Sequence, residues 1–528
     1  MSDTFYAIVR EIANQYINSI LFIDERAFLP DSLAVSKDKP TDLDVESITR
    51  AFTGANKICG FFAPTSLEDI EKCKQLVLKP DIVVLDWNIK IDQSFLQEDE
   101  NQDDETDDRG YYTLELLKSI VTDAAEEKLK VVFIYTGEPG LNSIISEISD
   151  TLGEKFQQNS EKFEVYSDNV HIIVRLKPDS KVFHAGFDEF KVPYENLPDL
   201  LIDSFSEYVC GLIPCFAMKC ITSIRENAAK ILRVYNKGMD AELLAHEVSI
   251  PNPDDTKSYI AKSFGSAITD LIMEDESINT DLWADLWIDC FIPQKPSKKN
   301  IAGKIVSVSK ESANKLFHNR KTKPNLSIRF KSAFGVSVEK EENNNVIDQL
   351  SRVFHQDDTI IEQSRYEFAS LLHRKGLFSR KFSIPTLSLG SVVEKEVGGY
   401  YLCIQQRCDS VRIPKKGRAF LFLPLTDNKN SSVICALALA PGKCLYVPKQ
   451  SYNLSIFTFA PGKNEDAIKA TKENGGFFFI SSDNISFKWI TELNEINAQR
   501  IVREYIGQLS RVGLDEAEWL RIEGIDSL

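Results

Sequence analysis

The first third of the chain alternates short apolar runs with helical patterns, and this alternation is the strongest constraint on its fold. The apolar runs are residues 19–23, 58–62, 82–85, 131–135 and 171–176. Such runs, with helices between them, are typical of parallel strands whose crossover helices cover both faces of a sheet. The sequence therefore predicts an α/β fold in this region, with a doubly wound, five-stranded parallel sheet.

The chain of 528 residues exceeds what one hydrophobic core usually organises, so we expect further domains. The α/β domain is predicted over residues 1–195, with an N-terminal helix and an acidic insert at 90–109. Helical periodicity predicts a helical module at 196–294, and Pro, Ser and Lys clusters predict a linker and helical segment at 295–380. Apolar and aromatic runs predict a β-rich, α+β C-terminal domain with terminal helices at 381–528.

Charge and composition bear on the partners and location of the protein. The formal net charge is -17, and binding to a polyanion depends on Lys and Arg, so we expect no nucleic-acid partner. No apolar run approaches the roughly 20 residues that cross a bilayer, so we expect no membrane association and a cytoplasmic location. The cysteines and histidines show neither paired zinc-ligand spacing nor a nucleophile and base pattern.

Polar residues follow four of the five predicted strands. Asp24 and Glu25 follow the first, Asp86 the third, Thr136 the fourth and Lys177 the fifth. Because the carboxyl ends of parallel strands meet at one edge of a sheet, we expect these side chains to lie together. Three neighbouring carboxylates repel one another, and a divalent cation such as Mg²⁺ relieves that repulsion. The set predicts metal-assisted phosphoryl transfer, with the third-strand Asp as the nucleophile.

The motifs FIDE, VVLDWN, FIYTG and RLKP, in this order and at strand ends, resemble those of the receiver domain of response regulators. The resemblance covers about residues 18–195. It implies a flavodoxin-like fold, and it implies that a histidine kinase donates a phosphoryl group to Asp86. Apart from this self-phosphorylation and autodephosphorylation, we do not expect the chain to be an enzyme.

The same resemblance implies a role for each residue of the set. Lys177 would stabilise the acyl phosphate, and Thr136 would move toward the phosphoryl group and so report phosphorylation. The implied Mg²⁺ ligands are Asp24, Glu25, Asp86 and the backbone carbonyl of Asn88.

The sequence departs from the family pattern at three places. The usual short loop after Asp86 gives way to the acidic insert, which would gate access to the acceptor. The interval between Thr136 and Lys177 is long, which implies an elaborated fourth helix or an added hairpin. Val174 occupies the position of the family's aromatic switch residue, so the output would be transmitted in another way.

The receiver region, the helical module and the segments GYYLCIQQRCDSVR and LSRVGLDEAEWLR together resemble the companion receiver proteins of Detocs-type anti-phage two-component defence systems. The resemblance implies a phosphate sink that drains phosphoryl groups from the kinase. It also implies a second receiver protein, which carries an effector and competes for the same phosphoryl groups. The sequence itself shows no effector chemistry.

Two functions of other classes stay open. A degenerate receiver would serve as a protein-interaction scaffold and would show no metal-dependent phosphorylation. An unrecognised hydrolase or nuclease in residues 300–528 would require a cluster of acids or a His-containing pocket there, and a cleft of Leu, Phe and scattered polar groups would argue against it. The apolar stripe of residues 3–17 would also serve as a dimer face, so a homodimer is open as well.

Overall fold

The structure is a computed structural model in which contacts divide the chain into two units. The N-terminal unit comprises Met1–Met239, Lys262–Ser297 and Ser309–Thr322, and the C-terminal unit comprises Asp240–Ala261, Lys298–Val308 and Lys323–Leu528. The described residues are 3–28, 43–91, 109–124, 129–138, 140–178, 187–249, 254–301, 303–323, 325–337, 349–375, 384–428, 433–449, 453–463, 465–473 and 475–509. Most of the predicted acidic insert, and the final helix predicted around Trp519, lie outside these residues.

The described helices and strands follow one another in an order that changes from alternating to β-rich. In chain order they are α1 (Asp3–Tyr16), β1 (Ser19–Ile23), α2 (Val45–Gly54), β2 (Ile58–Phe62), α3 (Leu67–Leu76), β3 (Ile82–Leu85), α4 (Tyr111–Ala124), β4 (Lys130–Thr136), α5 (Leu141–Leu152), β5 (Gln157–Asn159), β6 (Glu164–Tyr166), β7 (Val170–Leu176), α6 (Leu197–Tyr208), α7 (Leu212–Val234), α8 (Asp240–Ser249), α9 (Asp254–Met273), α10 (Thr280–Phe291), β8 (Ser297–Ile301), β9 (Lys304–Val308), α11 (Lys310–His318), α12 (Leu326–Phe334), α13 (Ser351–Phe354), α14 (Ile361–His373), β10 (Ser391–Lys395), β11 (Tyr400–Cys403), β12 (Arg418–Leu425), β13 (Val433–Ala440), β14 (Lys443–Pro448), β15 (Ser455–Phe459), β16 (Thr471–Glu473), β17 (Gly476–Ile480), β18 (Ser486–Glu492) and α15 (Glu495–Leu509).

The sheet of the N-terminal unit has the strand order β2-β1-β3-β4-β7-β6-β5. The first five strands of this order are parallel, as the sequence predicts, and β6 pairs antiparallel with both β7 and β5. The predicted count of five strands is therefore two too low. The extra hairpin fills the long interval between Thr136 and Lys177. Its strands QQN and EVY are short and largely polar, so they carry no strand signal in the sequence.

Helices cover both faces of this sheet, because its central strands are apolar throughout. All four residues of β3 are buried, and apolar residues of α3, α4 and α5 pack on one face. The other face packs against α1, α2, α6, α7 and α10. Helices of the predicted 196–294 module thus share a core with the sheet, whereas α8 belongs to the C-terminal unit. Phe5 and Val9 of α1 are fully buried in this core, so their apolar stripe is covered within the chain.

The C-terminal unit contains a seven-stranded sheet with the order β15-β12-β11-β10-β18-β17-β16, in which neighbouring strands run antiparallel. One apolar cluster includes residues of α15, and a second is rich in buried phenylalanines such as Phe420 and Phe487.

Part of the linker predicted at 295–380 is regular, because it contains the hairpin β8–β9 and the helices α11 and α12. A capping box formed by Ser309 and Ser312 begins α11.

Gly110 precedes α4 and lies against Trp87, the residue after Asp86. Its φ is +80°, which favours glycine, and a Cβ added there would overlap the Trp87 indole. Trp87 is 3% exposed, so the ring has little room to move aside. The start of α4 and the turn after β3 therefore depend on a glycine at this position.

We expect Gly110→Ala to lower the free energy of unfolding by about 2–5 kcal/mol, because a positive φ costs about 1–2 kcal/mol and overpacking about 1–3 kcal/mol. Gly335→Ala is the matched control, since Gly335 has a φ of +73° in the left-handed region but no atom within 4 Å of an added Cβ. The control should lose only about 1 kcal/mol. Urea unfolding followed by circular dichroism measures both, and equal losses would contradict the role of the Trp87 contact.

Candidate functional site

Asp24 and Asp86 lie side by side because the parallel ladder continues one residue beyond the strands. The Asp24 amide donates to the Phe62 carbonyl at 3.1 Å, and the Asp86 amide donates to the Ile23 carbonyl at 2.9 Å. Asp24 is 3% exposed and Asp86 is 8% exposed. Two carboxylates are thereby fixed in a largely desolvated position at the ends of neighbouring strands.

Lys177 brings a positive charge to these carboxylates from the end of β7. Its Nζ donates to Asp24 Oδ2 at 2.7 Å and lies 2.9 Å from Asp86 Oδ1, and its amide donates to the Thr136 carbonyl at 2.8 Å. The Asp86 contact is a second ion pair of the same ammonium. Burial opposes the charge of Lys177, but Asp86 and Asp24 raise its pKa above the usual value, so the ammonium stays charged.

Glu25 completes the acidic side of the site. Burial raises the pKa of Glu25 to about 7, and the carboxylates of Asp86 and Asp24 act in the same direction. Burial also raises the pKa of Asp24, although Lys177 opposes that effect. With all four groups ionised, three negative charges face one ammonium, so the site carries a net negative charge.

These oxygen atoms suit Mg²⁺ better than a metal ion that takes all of its ligands from the protein. Glu25 Oε2 is a buried oxygen that accepts no hydrogen bond from the described residues, and Asp86 Oδ1 is a buried oxygen whose partner is the Lys177 ammonium. The described chain contains no group of three or more His, Cys, Asp or Glu side chains that could hold a metal ion by themselves. Magnesium keeps several of its waters and needs only one or two carboxylates, so hard oxygens beside a net negative charge fit it.

Thr136 lies at the end of β4 and is fully buried. Its Oγ1 accepts a hydrogen bond from the Glu138 amide at 3.1 Å, and Glu138 Oε1 accepts one from Asn88 Nδ2 at 3.2 Å. The Asn88 amide donates to Asp86 Oδ2 at 3.0 Å. Asn88 and Glu138 therefore connect the loops after β3 and β4, a role of Glu138 that the sequence analysis missed.

Thr113 is a second residue that the sequence analysis missed. It is fully buried in the first turn of α4, and its Oγ1 lies 2.7 Å from the Asp86 carbonyl oxygen and 3.0 Å from that of Trp87. Within the stretch YYTLELLK a buried Thr is indistinguishable from a core residue. Only the packing of α4 against the turn after β3 brings its hydroxyl to the site.

A cavity of about 580 Å³ lies within the C-terminal unit. Its lining residues are Leu389, Ile404, Gln406, Arg407, Cys408, Glu495, Gln499, Val502, Arg503 and Ile506. The Arg407 Nη1 atom lies 3.2 Å from Glu495 Oε2, so this Arg forms an ion pair. The lining contains no His and a single acid, Glu495.

Comparison with known proteins identifies the class of the first domain. A family model for the response receiver domain matches residues 16–182, so the predicted receiver domain is confirmed for this part of the chain. Such a domain supports a phosphoacceptor role like that of a response regulator. A search of curated proteins finds no match to the chain. Among the described residues, no helix has both the length and the apolar character needed to span a membrane.

We expect Glu25→Gln to stabilise the protein at neutral pH in the presence of a chelator. Since the pKa of Glu25 is raised from 4.5 to about 7, the folded state binds its proton more tightly than the unfolded state. Ionised Glu25 therefore destabilises the folded state. This effect is absent below about pH 4.5, grows as the pH rises and is complete above about pH 7. One pKa unit corresponds to about 1.4 kcal/mol, so the rise from 4.5 to about 7 predicts a gain of about 3 kcal/mol.

Urea unfolding in a chelating buffer at about pH 4 and about pH 8 measures this gain. Glu161→Gln, which changes an exposed acid between β5 and β6, is the matched control and should have no effect at either pH. A Glu25→Gln protein that is less stable than wild type at the higher pH would contradict the cost assigned to the ionised, buried Glu25.

Proposed function

We propose that this protein takes a phosphoryl group from a histidine kinase onto Asp86 and serves a two-component pathway as a phosphate sink or regulator. One observation carries the proposal: the buried ammonium of Lys177 lies 2.9 Å from Asp86 Oδ1, beside the carboxylates of Asp24 and Glu25. An ammonium, an acidic pair and an acceptor carboxylate are the groups that phosphoryl transfer to an Asp requires. The match of residues 16–182 to the response receiver domain supports the same chemistry.

In the proposed step, an Asp86 carboxylate oxygen forms a bond to phosphorus while the P–N bond of the kinase phosphohistidine breaks. The imidazole leaves with the electron pair of that bond and takes up a proton. Lys177 lies close enough to Asp86 to contact a phosphoryl oxygen, and the Thr136 hydroxyl would donate to another. Asp24, Glu25, Asp86 and the Asn88 carbonyl would hold Mg²⁺, which would supply charge neutralisation for the phosphoryl oxygens.

The pathway assignment rests on the likeness of the whole chain to the companion receivers of Detocs-type defence systems. That likeness favours a cytoplasmic protein that drains phosphoryl groups from the kinase, in competition with a second receiver that carries an effector.

The test is the incorporation of base-labile phosphate from acetyl phosphate and from a phosphorylated cognate kinase, with and without Mg²⁺. We expect wild type to incorporate phosphate only with Mg²⁺, because an unneutralised acidic site repels the phosphodonor. Asp86→Asn should incorporate none, because the amide is not a nucleophile. Asp188→Asn, which removes an exposed acid of the same unit, is the matched control and should behave as wild type.

The results distinguish the phosphoacceptor function from the scaffold function that the sequence left open. No incorporation by wild type from either donor would overturn the proposal and favour the scaffold. For the sink role, the phosphorylated kinase is mixed with its effector-bearing receiver and with this chain. Wild type should reduce effector phosphorylation and Asp86→Asn should not, and equal effects of the two would refute the sink role.

A further inference from the structure

The backbone after Asp86 no longer pairs with neighbouring strands, so its carbonyl groups need hydrogen-bond donors from other elements. Strand pairing of β3 ends at Leu85, which is aligned with Ile23 on one side and Ile134 on the other. A buried carbonyl oxygen without a donor is costly, so the turn needs a partner from another element. The Thr113 hydroxyl supplies it from α4, 2.7 Å from the Asp86 carbonyl oxygen and 3.0 Å from that of Trp87.

The surroundings of Thr113 hold this contact in place. Thr113 is fully buried, so water does not compete for the two carbonyls. Its hydroxyl has one proton, which the shorter distance directs to the Asp86 carbonyl, with the Trp87 carbonyl as the second acceptor. On the other side of the turn, the Trp87 indole packs on Gly110, directly before the same helix. The start of α4 thus contacts the backbone carbonyls of residues 86 and 87 through Thr113 and the Trp87 side chain through Gly110.

The orientation of these peptide groups decides where the acceptor carboxylate points. The Asn88 amide donates to Asp86 Oδ2 at 3.0 Å, which leaves Oδ1 on the side of Lys177. If the turn rotates, the Asn88 amide and its carbonyl rotate with it. The hydroxyl that fixes the turn therefore also fixes the carboxylate that accepts the phosphoryl group.

We propose that Thr113 is a positioning residue for the phosphoacceptor: its hydroxyl fixes the turn of residues 86–88 so that the Asp86 carboxylate faces Lys177. The proposal rests on the proposed phosphoacceptor function. Thr113 does not touch the phosphoryl group, and it acts through the backbone of the turn.

The test compares Thr113→Val, which keeps the shape of the side chain but removes the hydroxyl, with Thr113→Ser, which keeps the hydroxyl. We expect the initial rate of phosphate incorporation from acetyl phosphate at saturating Mg²⁺ to fall about tenfold in Thr113→Val. Thr113→Ser should recover most of the wild-type rate. Thr122→Val is the matched control, because the exposed Thr122 donates to the Lys118 carbonyl at 2.7 Å on the same helix. It should leave the rate unchanged.

A purely structural role would lower stability without this pattern of rates, so the assays are run well below the unfolding transition of each variant. A wild-type rate in Thr113→Val, or a Ser variant as slow as the Val variant, would overturn the proposal. If Thr113→Val does not fold, Thr113→Ala replaces it in the same comparison.

Hydrogen exchange at the Asn88 amide distinguishes failure of this inference from failure of the proposed function. We expect faster exchange in Thr113→Val but not in Thr122→Val, because only the former releases the turn. If wild type incorporates no phosphate, the proposed function fails, and faster exchange still supports the positioning of the turn. Unchanged exchange at Asn88 would overturn the positioning of the turn, whatever the phosphorylation assay gives.

Discussion

The buried ion pairs of Lys177 are the interaction on which the site depends. A buried ammonium is stable only when carboxylates compensate it, and Asp24 and Asp86 do so at 2.7 and 2.9 Å. Because these residues follow β7, β1 and β3, the ion pairs join three strand ends at one edge of the sheet. They do not neutralise the site, since Glu25 adds a third carboxylate. The same cluster thus holds the strand ends together and retains the negative charge that phosphoryl transfer with Mg²⁺ would use.

The turn after β3 is held from the side of α4 rather than from the sheet. Gly110 leaves space for the Trp87 ring. The Thr113 hydroxyl donates to the carbonyls of Asp86 and Trp87, which lie beyond the paired residues of β3. Asn88 and Glu138 then join this turn to the loop after β4, where the Thr136 hydroxyl is also bonded. Hydrogen bonds therefore connect Asp86 and the turn after it to the end of β4.

The fold could be predicted where the signal is local and apolar. The bounds of β1, β2 and β3 agree with the predicted runs because each strand is short and nearly all of its residues are apolar. The long interval between Thr136 and Lys177 allowed an added hairpin, but the bounds of β5 and β6 could not be predicted, since strands of three residues are too short for a periodic signal and depend on pairing with β7. The division of the 196–294 helices between the two units was also unpredictable, because helical periodicity shows that a face is buried but not against which partner.

The sequence by itself determined which groups form the site. Asp24, Glu25, Asp86, Thr136 and Lys177 each follow a predicted strand, and parallel strands bring their carboxyl ends to one edge. Only the tertiary structure decided how those groups are held. Thr113 lies 27 residues from Asp86 in the chain, and Glu138 lies 50 from Asn88. Such contacts depend on how a helix packs and where a loop turns, which no local pattern of residues specifies.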